Sequence, residues 1–165
     1  MEKEILKKNI KTMVITHDEL EDIGARWLRS HDYRLRVPNC SVVLQDFQTI
    51  GVSRPDIIGF NSGESVMIEV KVCRKDFTND KKKRIRAYED LEVGEYCYYL
   101  APEGLIETSE VPEEWGLLLY DGKEIKVAKK AHMRLKYNHE GERTMLVSLL
   151  RRNNIKGNTI KRSKR

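Results

Sequence analysis

Long apolar runs are missing from this chain of 165 residues. No segment approaches the roughly eighteen apolar residues needed to cross a bilayer, and Met1-Glu2-Lys3-Glu4 does not read as a secretory signal. Cysteine is scarce: Cys40, Cys73 and Cys97 have neither paired nor metal-ligand spacing, which argues against a disulfide scaffold or a cysteine zinc site. The histidines His17, His31, His132 and His139 likewise lack a partner at ligand spacing, so zinc chemistry is disfavoured. A reducing, cytoplasmic setting is the expectation. Acid is absent from residues 151–165, which hold seven Lys or Arg, while the first 150 residues balance 24 basic against 26 acidic side chains. The net charge of +5 is therefore the property of a tail. Without hydrophobic periodicity after Leu150, that tail is expected to be disordered. It either adds phosphate contacts that read no base sequence or simply aids solubility.

What is present suits one domain. Hydrophobic residues make up 39% of the chain, enough at this length to bury a core. The expected organisation is an N-terminal arm over 1–15, a domain over 16–150 and the basic tail over 151–165. Thr16-His17-Asp18-Glu19 is a capping-box pattern, and Leu20, Ile23, Trp27 and Leu28 follow at helical spacing, predicting an amphipathic helix over 17–30. Strands are predicted at 40–48, 54–60 and 65–73. A helix at 77–91, with Ile85, Tyr88 and Leu91 facing inward, leads to a buried strand at 95–100. A helical turn near 107–114 precedes a hairpin, 115–120 and 124–128, around Asp121-Gly122-Lys123, and a last helix covers 140–152. This order predicts the α/β class: a mixed central sheet flanked by helices, with the 77–91 helix as a right-handed crossover between parallel strands.

Three charges sit inside the predicted core strands. Ser65 to Val72 places apolar residues at 66, 68, 70 and 72, a strand with one packed face, so Glu69 and Lys71 share the other. The turn Asn61-Ser62-Gly63-Glu64 joins it to Ser53-Arg54-Pro55-Asp56-Ile57-Ile58-Gly59-Phe60, and the resulting hairpin brings Asp56 beside Glu69 and Lys71. Two carboxylates this close repel unless a cation lies between them, and an adjacent ammonium is placed to act on a water or a phosphate oxygen. That is the chemistry of a magnesium-dependent phosphodiesterase. Glu-x-Lys on a solvated strand face means little by itself. Arg-Pro-Asp ahead of a hydrophobic strand shifts the reading.

Pro55-Asp56, a twelve-residue gap and then Glu69-Val70-Lys71 resembles the PD-(D/E)xK nuclease signature. Within that superfamily the chain is similar to the MmcB-like DNA-repair proteins over residues 33–152, through Asp46-Phe47, Asp76-Phe77, Asp80, Lys82, Pro112-Glu113, Gly116-Leu117 and Asp121. It departs from them at Val72, Cys73 and Lys83, positions that bear on substrate contacts more than on a metal site. The resemblance implies a restriction-endonuclease-like core.

The expected roles follow. Asp56 and Glu69 hold Mg²⁺ (or Mn²⁺), with the Val70 carbonyl as a further ligand, and Lys71 positions the attacking water and offsets charge on the phosphate. The resemblance implies a further acid from the first helix or the preceding strand, for which Glu19, Glu21 and Asp46 are candidates. Glu19 is also explained by the capping box and Glu21 by a solvated helix face. Tyr88 is either a polar group facing the site or a core tyrosine, and Asp76 and Asp80 are either helix caps or metal ligands. From Lys71 to Arg86 there are eight Lys or Arg against two acids. Arg74, Lys75, Lys81, Lys82, Lys83, Arg84 and Arg86 form the expected nucleic-acid surface. The predicted function is metal-dependent cleavage of DNA in repair, recombination or mobile-element biology. RNA, a protein partner and a homodimer are left open; no membrane is implicated. The competing reading is a nucleic-acid-binding module on a nuclease fold that does not cleave.

Overall fold

Helix formation begins where the capping box predicts it. The computed structural model describes residues 14–84 and 92–155, with backbone alone at Lys83 and Arg84. Helix α1 spans His17–Ser30; Thr16 Oγ1 accepts from Glu19 N at 3.2 Å, and Glu19 Oε2 accepts from Thr16 N at 2.9 Å. Leu20, Glu21, Gly24, Ala25 and Leu28 form its buried face.

Six strands lie side by side in chain order: β1 (Val42–Gln45), β2 (Ile57–Phe60), β3 (Ser65–Val70), β4 (Tyr96–Pro102), β5 (Gly116–Tyr120) and β6 (Ile125–Lys129). The β3–β4 and β4–β5 pairs are parallel and the other three antiparallel. Helix α2 (Arg74–Arg84) lies between β3 and β4 in sequence, and helix α3 (His139–Arg152) follows β6. This is an α/β fold, a mixed six-stranded sheet flanked by helices. On one face Leu20 and Leu28 of α1 join Ile57, Ile68, Leu100 and Leu118; on the other, Phe77 of α2 and Met145 of α3 join Ile58, Met67, Tyr99 and Leu117. Gly24 sets how closely α1 settles. A Cβ there would lie 2.6 Å from Leu100 Cδ2 and 2.8 Å from Ile57 Cδ1.

The differences from expectation have local causes. β3 was predicted with a single packed face, yet Ser65, Met67 and Lys71 are buried as well as Val66, Ile68 and Val70, because helices cover both sides of the sheet. β1 ends at Gln45 rather than 48, since Asp46 turns to φ 46°. β2 begins at Ile57 rather than 54, beyond Pro55, which cannot donate to the ladder. β3 stops at Val70 rather than 73, and α2 starts at Arg74 rather than 77. Ile85, Arg86, Tyr88 and Leu91, all predicted on that helix, fall outside the described residues. Helix α3 takes in Arg151 and Arg152, the first two residues of the predicted tail; its N-cap Asn138 accepts from Gly141 N at 2.7 Å. Among the described residues no helix is long and apolar enough to cross a membrane.

Candidate active site

The β2–β3 register pairs Ile57 with Ile68, and one further step sets Asp56 across from Glu69. Asp56 Oδ2 accepts from Val70 N at 2.7 Å, so the carboxylate is fixed to the strand that carries Glu69. Lys71 continues that strand. Its backbone N–H donates to Leu100 O at 2.9 Å, and its side chain is only 9% exposed. Lys71 Nζ donates to Glu69 Oε2 at 3.3 Å and lies 3.6 Å from Asp80 Oδ1 on α2. Asp80 is held in turn, because Tyr99 Oη donates to its Oδ2 at 2.7 Å. Phe77 and Trp115 wedge the Tyr99 ring at centroid distances of 5.2 and 4.7 Å. The ammonium is thus clamped between carboxylates from a strand and a helix.

Helix α1 supplies the other wall. The His17 ring spans two acids, with Nε2 3.4 Å from Asp56 Oδ2 and Nδ1 3.7 Å from Glu21 Oε2. Glu21 is 8% exposed; burial, then the charge of Asp56, pushes its carboxyl above the ordinary glutamate value, and Asp46 adds to the rise. His17 and Gln45 oppose it, Gln45 Nε2 donating to Glu21 Oε1 at 3.4 Å and to Asp22 Oδ1 at 2.8 Å. Negative charge is therefore under-neutralised where Glu21 faces Asp56. Asp56, Glu69 and Glu21 each offer carboxylate oxygens, the hard donors that Mg²⁺ and Mn²⁺ prefer. Among the described residues, the group whose potential ligand atoms lie within 4.8 Å of one another is His17, Asp18 and Glu21, without Asp56 or Glu69. The expectation that no histidine has a partner at ligand spacing fails here: His17 and Glu21 are four residues apart on one helix face.

The structure sorts the predicted residues. Lys71 bonds to Glu69, and Asp56, across from Glu69 by register, is fixed to the same strand through the Val70 N–H. Glu21 reaches them from the buried face of α1, whereas Glu19 stays in the capping box. Asp46 sits at the rim, ion-paired with Arg54, and its N–H donates to Asp56 O at 2.8 Å. Asp76 is exposed in the first turn of α2. The basic surface divides. Arg74 donates to Glu110 at 2.8 and 2.6 Å, pulling that carboxyl down to about 2, and Lys81 Nζ donates to Glu110 O at 2.9 Å. Those two cations hold α2 against the turn at Thr108–Glu110, while Lys75 and Lys82 are exposed. Lys83 and Arg84 lie in the last turn of α2.

Sequence reasoning missed His17, Gln45 and Tyr99, and left Asp80 without its lysine. A signal existed for the placement of Asp80, as it did for the candidate Glu21. Glu21 lies four residues before Ala25 and seven before Leu28, on the apolar stripe, and Asp80 lies three after Phe77, on the sheet-facing side of α2. Tyr99 carried no such mark within an apolar strand.

No family model and no curated protein matches the chain. Among solved structures it is similar to a protein of unknown function from Silicibacter pomeroyi, with a TM-score of 0.58 and 21% identity over 91% of this chain and 99% of that one. That likeness is one of fold.

Proposed function

We propose that the chain is a divalent-metal-dependent nuclease that hydrolyses phosphodiester bonds in DNA on a restriction-endonuclease-like core of the PD-(D/E)xK type. The observation that carries this reading is the register that sets Asp56 across from Glu69, with Glu21 of α1 facing Asp56, at the strand end where Lys71 is held in place. Asp56, Glu69 and Glu21 are the residues that would hold Mg²⁺ or Mn²⁺. Bound there, the cation supplies charge to the phosphate and lowers the pKa of a water. Lys71, pinned by Glu69 and Asp80, orients the attacking water and offsets charge growing on the non-bridging oxygens. The water oxygen joins phosphorus as the ester P–O bond breaks; the water gives a proton to solvent and the departing oxygen takes one from solvent. Tyr99 holds Asp80 and so sets the position of Lys71.

The test is a cleavage panel of single-stranded, duplex, nicked, flapped and branched DNA, with and without Mg²⁺ or Mn²⁺, run beside Glu69→Ala. Metal-dependent products from the wild type alone are expected. Equal inertness of both proteins on every substrate they bind would leave a binding module instead.

A further inference from the structure

We propose that the groove between the β1–β2 loop and α3, rather than the outer face of α2, receives the sugar-phosphate backbone of the DNA; this deepens the nuclease reading and rests on it. The groove has a volume of about 800 Å³ and is lined by residues 46–54 and one side of α3. Its charges are Arg54, Arg143, Arg151 and Arg152 against a single acid, Asp46. A polyanion is the complementary partner.

Two of these arginines are available. Arg143 and Arg151 are exposed, and neither has an acidic partner among the described residues. They stand eight residues apart, so they lie along one stripe of α3 about 12 Å long, enough to follow several successive phosphates of a strand. The other two build the groove. Arg152 Nη2 donates to Gln48 O at 2.5 Å, and its guanidinium lies 4.3 Å from the Phe47 ring centroid, tying the loop to the end of α3. Arg54 pairs with Asp46 and stands two residues before Asp56. The Asp46 N–H donates to Asp56 O at 2.8 Å, which ties the groove's Asp46 edge to the residue before β2 that carries the candidate site. On α2, by contrast, Arg74 and Lys81 already bond to Glu110.

The experiment is fluorescence anisotropy of labelled DNA in Ca²⁺ across a salt series. It compares the wild type, Arg143→Ala/Arg151→Ala and Lys75→Ala/Lys82→Ala, with RNA of the same length as a second arm and cleavage in Mg²⁺ read separately. The groove variant is expected to bind DNA about tenfold more weakly and to lose about two from the salt slope, while the α2 variant stays near wild type. An unchanged melting temperature in the groove variant assigns the loss to contacts. Undiminished DNA binding by the groove variant, a loss confined to the α2 variant, or no DNA binding by the wild type would overturn the inference; so would an arginine dependence seen with RNA alone. If wild-type cleavage persists while the groove variant binds normally, the groove fails and the nuclease reading stands. Arginine-dependent DNA binding without any cleavage would have the opposite meaning.

Discussion

The two ends of β3 both bury acids, and they treat them differently. At the start of the strand, Glu142 Oε1 accepts from Ser65 Oγ at 2.6 Å and from Gly94 N at 2.8 Å, while Ser65 Oγ accepts from Glu95 N at 2.9 Å. Burial pushes the Glu142 carboxyl up and Ser65, Gly94, His139 and Arg134 pull it down, while its charge, with that of Glu64, helps to raise the neighbouring Glu95 carboxyl. At the far end, Glu21 is pushed up by burial and again by Asp56 and Asp46, with His17 and Gln45 opposing. The first acid is matched with donors from its own fold and clamps α3 to β3. The second takes one long hydrogen bond from Gln45 and is itself raised by two neighbouring carboxylates, an arrangement that a divalent cation would relieve.

Substitutions at the two ends should separate these roles. Lys71→Ala has the largest expected effect, a loss of at least about a hundredfold in cleavage rate with DNA affinity little changed, measured by single-turnover kinetics and anisotropy. Glu142→Ala acts the other way. It strips the acceptor from Ser65 Oγ and Gly94 N–H, each loss costing about 1–3 kcal/mol, so the Tm falls while cleavage per folded molecule holds. A specific loss of cleavage at an intact Tm would break the comparison.

Gly24→Val comes next. The added side chain meets Leu100 and Ile57, costs about 1–3 kcal/mol of stability by chemical denaturation, and slows cleavage because Glu21 and His17 ride on the displaced helix. Glu21→Gln sharpens the electrostatic half of the contrast. With its carboxyl raised in the fold, Glu21 adds stability that is full below the ordinary glutamate value of 4.5 and is lost as pH rises through the raised value. Denaturation midpoints taken without divalent cation should therefore fall over that window in the wild type and flatten in Glu21→Gln. Tyr99→Phe is the smallest change. It removes the bond to Asp80, worth about 1 kcal/mol, and loosens Lys71 enough to slow cleavage by a few-fold.

Much of this was legible in the chain. The capping box, the hairpin turns and the alternation in β3 are local patterns, and they suffice to locate α1 and the six strands and to single out Asp56, Glu69 and Lys71. What failed to show was what packs across the sheet. Period-2 spacing cannot tell a solvated face from one covered by Phe77 and Met145, so β3 read as one-sided. Glu21 read equally as a solvated helix residue, because its burial depends on Gly24 letting α1 lie close over β2 and β4. Asp46 drew attention through its spacing, but the backbone turns there and Arg54 takes its carboxylate. The density of lysine and arginine in α2 did not reveal that Glu110, in a distant turn, would engage two of them.

Whether the Asp56–Glu69 end of β3 is built for a cation can be asked directly by calorimetric titration of Mn²⁺ into the wild type, Asp56→Asn/Glu69→Gln and Glu142→Gln. The wild type and Glu142→Gln should bind the ion alike, and the double variant should bind it at least about tenfold more weakly. Equal binding by all three proteins, or binding lost only with Glu142, would contradict the assignment.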